Sequence, residues 1–451
     1  MFFFSRIARS KSFPNITARK YYSSIVRRFI ADALTGYEET VFIPLRCTSW
    51  HLGDKFSKAR ITTVQYLKDE FGRRREPSSV NKNDIKRGKV KTHLIPFSSM
   101  FHNGFHALEC FNNGTSITIE DNMQVEKANY NRYLLQYDLD AFVTGFLCEK
   151  DHHEECLKKI LTIDNETEIS VIMANHLFSR LTAPRVGTTY NVTNDTKGKP
   201  VHVYCNCSKK CGEEILYGNT GFGSELLWYG KPDIMVFPIG GVNCSIIIPP
   251  KPKDESADYE YPSGPNMSKH KHNMDFNPDD LTLREKYNKS QIIATAITSS
   301  MYQKKCQQEK GGLFTNVSLL PLIAANGTSF DIYLYDSERD ILLRNSGLPI
   351  PLWDGPFNKP PLYRLNMSSV LKLWMTINHA SIQPSLSLED NQLLSGTCDF
   401  KGRLPKDVLK NIESTLEMKD KFQPMEEQEF EFDFMNLNVS PPKKSLPVEC
   451  L

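Results

Sequence analysis

Three side chains near the middle of the chain, Glu225, Asp233 and Lys251, are of the types that hold a divalent cation and activate a water. Asp233 follows a Gly230-Lys231-Pro232 turn and opens a short apolar run, "DIMVFPI"; a second run, "NCSIIIP", ends just before Lys251. In a hairpin the ends of these runs lie side by side, so Asp233 and Lys251 converge. A hard cation asks for at least two oxygen ligands, which Asp233 and Glu225 supply while Lys251 orients or deprotonates a water. Each residue alone has a plainer reading: Asp233 as an acid capping the turn, Lys251 as a solvated strand end, Glu225 as a helix-surface acid. Their joint order along the chain is what favours chemistry.

Two further stretches carry metal-ligand residue types. "CNCSKKC" offers Cys205, Cys207 and Cys211, and "CEKDHHEEC" offers Cys148, His152, His153 and Cys156. Zinc takes four soft ligands in a tetrahedron, and neither stretch has the paired C-x2-C spacing that marks such a site. Joined, they would make one site; the expectation is nonetheless of unpaired thiols and no zinc. The "HKHN" run at 270–273 sits in a polar insert and reads as solvated. Asp138 and Asp140 in "YDLDAF" read as two acids on one strand face, too common a pattern to use.

The elements that must position these residues are clearest in the second half. "DIMVFPI" and "NCSIIIP" read as buried strands, the second rich in β-branched residues. A polar insert, 251–280, follows, and Asp279 or Asp280 then caps a long helix whose Ile293, Ile297 and Met301 share a face with Ile292, Ala296 and Tyr302 beside them. Asn326-Gly327 between two apolar segments predicts a hairpin; "DILLRN" is a further strand and "MSSVLKLWMTINHAS" an amphipathic helix. Helix, strands, helix and strands in this order imply an α/β sheet with a long helix packed on one face. The first half, 32–195, reads only as α+β, with a helix predicted over "TTVQYLKDEFGRRR" and "GSELLWYG" taken as a helix end or turn. The expected organisation is a basic arm at 1–31, an N-terminal region at 32–195, an α/β domain at 196–385 and a largely disordered tail at 386–451 with one helix near "PKDVLKNIESTLE".

This layout resembles the PD-(D/E)xK nuclease-like superfamily, the restriction-endonuclease-like fold. Pro232-Asp233 matches the motif's proline-aspartate, Lys251 its lysine and Glu225 the acid of the preceding helix; the helix beginning near Gln291 matches the one behind the sheet. The likeness covers roughly residues 213 to 335. It implies a mixed sheet with flanking helices, a Mg2+ ion on Asp233 and Glu225, and binding or cleavage of nucleic acid. The chain departs from the pattern at Pro249, where an active member would place an acid two residues before the lysine, so a catalytically inactive interaction or scaffold protein retaining the fold stays open beside the nuclease reading.

The charges are unevenly spread although the formal net charge is only +2. The first 31 residues hold seven Lys or Arg and no acid, the character of a mitochondrial presequence with a cleavage site at "ARKYYSS". Cytoplasmic or nuclear residence is the alternative. Between Lys55 and Lys91 twelve Lys or Arg face four acids, a phosphate-backbone footprint or a solvated face. The tail alternates acids with Phe430, Phe432 and Phe434, which reads as a docking peptide for a protein partner or an edge strand. No apolar run is long enough to span a bilayer, the eleven cysteines lack the dense spacing of a secreted disulfide scaffold, and the Asn-x-Ser/Thr triplets read as composition rather than glycan sites.

Overall fold

A computed structural model describes residues 16–51, 60–66, 94–115, 125–163, 165–182, 190–192, 203–212, 214–215, 221–224, 229–230, 232–236, 245–248, 283–310, 317–325, 327–346, 348–354 and 363–418. The protein is mixed α/β. Its centre is one sheet in the order β2-β1-β13-β12-β11-β10-β9-β4. These strands are β1 (Val41–His51), β2 (Arg60–Tyr66), β4 (Tyr190–Val192), β9 (Ile234–Val236), β10 (Ser245–Ile248), β11 (Leu319–Ala325), β12 (Ser329–Asp336) and β13 (Ile341–Asn345). A short β3 (Ile95–Pro96) pairs with β1. Among the described strands only β10 and β11 run parallel, joined by a long crossover that contains a helix, as parallel neighbours require. The two expected regions share this sheet, because β1 pairs directly with β13; residue 195 is not a boundary between separate sheets.

The pleat explains why so many strand positions are apolar. Along β12, Phe330, Ile332 and Leu334 face one core while Tyr333 and Tyr335 face the other. Neighbouring strands alternate in step: Ile341 and Leu343 against Leu342 in β13, Ile234 and Val236 against Met235 in β9. Both faces are therefore covered, which an antiparallel sheet does not require.

The first core is closed by helices α1 (Ile16–Thr35), α2 (His102–Asn113), α3 (Val125–Gly145), α4 (Lys150–Leu157), α5 (Glu166–His176) and α7 (Met367–Ile377). Trp374 of α7 lies at its middle, stacked 5.3 Å from Phe142, with its indole N–H directed at the Asp138 carbonyl. The second core is closed by α6 (Leu283–Lys310), which inserts Ile293, Ile297 and Met301, and by the segment after residue 386. Among the described residues no helix is long and apolar enough to cross a membrane.

Several sequence expectations hold: the β11–β12 hairpin pairs Ala325 with Phe330, β9 and β10 form an antiparallel pair, and the long helix buries the predicted face. Others change. Arg60–Tyr66 is strand rather than helix, because its β-branched Ile61, Thr62, Thr63 and Val64 extend along β1. "YDLDAF" is helical, so Asp138 and Asp140, two residues apart, point to different sides; Ser381 donates to Asp138, and the Gln136 amide to Asp140. The predicted cleavage site falls inside α1, whose next turns send Val26, Ile30 and Ala33 into the core.

The largest difference concerns the tail. Residues 386–418 are folded onto the sheet, with Leu394, Cys398, Phe400, Leu404, Ile412 and Leu416 buried. Backbone bonds tie them down: Gly396 N–H to Arg339 O, Cys398 N–H to Asp340 O and Cys47 N–H to Cys398 O at 2.7 Å. Asp399 accepts from Arg46 Nη2 at 2.6 Å and from Arg403 Nε at 2.9 Å. The helix expected near residue 405 is present as Lys406–Thr415. The acidic-aromatic run 426–434, the polar insert 251–280 and the basic residues 67–91 lie outside the described residues.

One buried acid joins the helical layer to the chain leading into α7. Glu154 of α4 accepts from Lys150 Nζ at 3.0 Å, Arg364 Nη1 at 2.9 Å and the Leu365 N–H at 3.1 Å. Burial opposes its ionisation, but these three donors outweigh that and hold the carboxyl below its usual range. Glu154→Ala leaves Lys150 buried without its counter-charge, and an expected loss of about 3–5 kcal/mol follows; urea unfolding measures it, and a change within about 0.5 kcal/mol would contradict the arrangement.

Candidate metal centre

Of the three residues predicted to form a hard-cation site, Asp233 is described: it is half-buried, follows the buried Pro232 and stands at the mouth of β9. The register of β9 with β10 runs Ile234 to Ile247 and Val236 to Ser245. Glu225, Lys251 and Pro249 lie outside the described residues. The chain before and after Glu225 is strand rather than helix, with β7 (Phe222–Gly223) pairing antiparallel with β8 (Tyr229–Gly230).

The described geometry concentrates metal-binding groups elsewhere. A hairpin of β5 (Val203–Tyr204) and β6 (Glu214–Ile215) carries the cysteines in its loop. The loop folds back on itself: Lys210 N–H reaches Cys207 O at 2.9 Å, Cys211 N–H points at Cys207 Sγ at 3.5 Å, and Gly212 N–H reaches Cys205 O at 3.3 Å. Lys210 and Gly212 take positive φ, 49° and 64°, which turns the chain so that its sulfurs face one point.

This loop lies against α4 and α5. Lys159 donates to the Asn206 carbonyl and to Glu168, the Asn206 amide also reaches Glu168, and Ser208 Oγ donates to Glu155 O. Asn165 caps α5 by accepting the Glu168 N–H at 2.9 Å, and the helix ends at His176. His176 is 1% exposed, Cys205 2% and Cys207 1%. The ligand atoms of His176, Cys205, Cys207 and Cys211 all lie within 4.8 Å of one another. His176 Nε2 is 3.5 Å from Cys211 Sγ. With Zn–S near 2.3 Å and Zn–N near 2.0–2.1 Å, a nitrogen and a sulfur on one tetrahedral ion stand about 3.6 Å apart. The observed pair fits.

The thiols need a cation to become ligands together. Burial pushes Cys205 and Cys156 up to about 12, each with neighbouring thiols adding to the rise. Cys207 is held below its ordinary value: burial raises it, but the Cys211 N–H and adjacent thiols outweigh that. Three thiolates packed this closely repel one another unless a positive ion sits among them.

The sequence had supplied Cys205, Cys207 and Cys211, and also Cys156, whose Sγ lies 3.7 Å from His152 Nε2. It had not supplied His176. No spacing rule links a histidine ending an apolar helix to a C-x-C-x3-C loop 29 residues later; the signal available was its place after "EISVIMAN", where an imidazole is carried into the core. Cys148 is not among the groups that could share an ion; burial and then Glu149 raise its thiol.

The buried imidazoles set an acid limit on the fold. Burial, with Arg180 and the neighbouring histidines adding to it, lowers His153 to about 4 and His176 to about 3, and burial lowers His379 to about 4. A depressed histidine contributes stability that is complete above its unfolded value of about 6.5 and is lost as pH falls toward the folded value. On metal-free protein, unfolding free energy measured by urea between pH 7 and pH 4 is expected to drop on the acid side by up to about 1.4 kcal/mol per pH unit for each histidine titrating; a flat profile would place these rings in water. Compared with known proteins, the chain matches no protein-family model, no curated protein and no solved structure, so its chemistry is read from this geometry.

Proposed function

We propose that the protein is a zinc-stabilised α/β scaffold in which one Zn2+, bound by His176, Cys205, Cys207 and Cys211, fastens the β5–β6 hairpin to the helical layer. The convergence of these four donor atoms carries the reading. Thiolate and imidazole donors select a borderline-soft ion, and a hard cation such as Mg2+ gains little from sulfur. Four protein ligands, three of them buried, leave no coordination position for water or substrate, which is the character of a structural rather than a catalytic zinc. Three thiolates and Zn2+ sum to a single negative charge, and Lys209 and Lys210 in the same loop offset it from the solvent side.

Metal analysis of purified protein is expected to give one zinc per chain. The double variant Cys205→Ser/Cys207→Ser loses it and Cys148→Ser keeps it; a strong chelator lowers the melting temperature and added Mg2+ does not restore it. Protein that carries no zinc, binds none on titration and melts unchanged in chelator would end this reading.

A second reading has its own support. β9 opening after Pro232-Asp233, its antiparallel partner β10, the crossover through α6 and the parallel β11 follow the order expected of a nuclease-like core. Under it, Mg2+ sits on Asp233 and Glu225 with Lys251 beside the attacked phosphate, and the sheet binds nucleic acid. Incubation with labelled DNA and RNA in Mg2+ is expected to show cleavage that Asp233→Ala abolishes, or salt-dependent binding without cleavage if the fold serves only as a platform. Neither binding nor cleavage would remove it.

A further inference from the structure

A second group of imidazoles borders the metal centre. His152, His153 and His176 lie with their ring nitrogens within 4.8 Å of one another. His153 is on α4, facing the end of α5, and is 2% exposed. Its ring is held by parallel stacking on Phe146, at 5.9 Å and 8°. His152, one residue earlier, is exposed and turns its Nε2 toward Cys156 instead.

The proton positions follow from the partners. His153 Nε2 faces two acceptors, the Gly145 carbonyl at 3.2 Å and a Glu149 carboxylate oxygen at 3.9 Å. It must therefore carry a hydrogen, and in the neutral ring that leaves Nδ1 with a lone pair. That lone pair lies 3.2 Å from His176 Nδ1. Two lone pairs at this distance would repel, so the His176 proton belongs on Nδ1. His176 Nε2 then carries the ring's lone pair, with the Asn175 amide N–H 3.3 Å away as its donor and Cys211 Sγ at 3.5 Å. The Asn175 amide donates toward that same sulfur at 3.5 Å while Arg180 holds the amide oxygen at 3.2 Å, so the thiolate side is braced as well.

We infer that His153 is the positioning residue of the metal centre: by accepting the Nδ1 proton of His176 it fixes the tautomer and the ring angle that present His176 Nε2 to the ion. The inference rests on the zinc reading above and extends it inward from the ligands. Gly145, His153 and His176 form a chain of donors and acceptors running from the end of α3 through α4 to the metal. Ligating histidines characteristically anchor their second nitrogen in this way, which raises ligand basicity and removes the entropy of a turning ring.

The competing use of the same geometry is a second ion. Two nitrogens on one tetrahedral metal stand about 3.3 Å apart, so a metal between His153 and His176 would also suit the distance, with His176 bridging as an imidazolate. That arrangement requires His176 to lose both protons, whereas the relay needs only neutral rings.

Zinc affinity by competition with a chromophoric chelator separates them, with metal content and circular dichroism recorded on each variant. His153→Phe keeps a stacked ring and removes the acceptor; it is expected to bind zinc roughly 10–100-fold more weakly while retaining one ion per chain at saturation. His153→Gln, whose side-chain oxygen can accept the His176 proton, is expected to recover most of the loss, a rescue that a purely packing role would not show. In Co2+-loaded protein the d–d bands should shift in His153→Phe and return in His153→Gln. Should His153→Phe not fold, His153→Ala removes the acceptor without bulk and carries the same expectation. Equal affinity in wild type and His153→Phe overturns the inference. Two ions per chain, one of them lost in His153→Phe, makes His153 a ligand and overturns it too. A wild-type chain that binds no zinc fails earlier, at the centre itself.

Discussion

The constraint that organises this protein is a sheet buried on both faces. Central strands must be apolar at successive positions, so β11 reads as an almost continuous hydrophobic run and β13 opens on Ile341, Leu342 and Leu343, which leaves little room there for ionisable groups. Two polar clusters that do lie deep are each met by partners. Asn345 donates to Asp331 and accepts the Ile332 N–H, and Asp340 accepts from the Tyr335 hydroxyl and the Lys401 N–H. Ionisable groups of metal-binding type lie instead at strand mouths, as with Asp233, or in loops outside the sheet, as with Cys205, Cys207 and Cys211.

That displacement explains why a small hairpin needs help. β5 and β6 contribute two residues each, too few to hold a loop through backbone pairing alone. Side-chain bonds from Lys159 and Ser208 seat it against the helices, yet the cysteines inside it are buried groups that gain little from being buried as free thiols. An ion shared with the end of α5, as proposed, would turn that weakness into a rigid junction. In the same way Glu154 converts three donors from two parts of the chain into one fixed corner.

How much of this was legible in the sequence depended on the distance over which each signal acts. Asn326-Gly327 and the alternating residues around it specify a hairpin locally, and β11–β12 is where they placed it. α6 and α7 were visible in their own periodicity. Arg60–Tyr66 was not, because Val64 and Leu67 match a helical spacing whose apparent face is overridden by pairing with β1. The folded character of 386–418 was hidden for a related reason: its buried residues are sparse, and what holds them is backbone bonding to Arg339, Asp340 and Cys47 far away in the chain. The proposed metal centre was half visible. Its sulfurs sit within seven residues of one another, but the imidazole arrives from a different element, and only the packing of α5 against the hairpin shows that they meet.

The junction of the two chain ends has a consequence for how the molecule comes into being. β1 lies between β2 and β13, and its Cys47 is bonded through the backbone to Cys398, with the two sulfurs 3.6 Å apart. During synthesis β1 can pair with β2 almost at once, but its other edge has no partner until Ile341 emerges, and the segment that closes over it comes later still. Until then an extended apolar edge is open to other nascent chains. Assembly of this protein is a late, long-range event, and the step at which it is most exposed to mispairing or chaperone capture is the interval between the appearance of Val41 and that of Ile341.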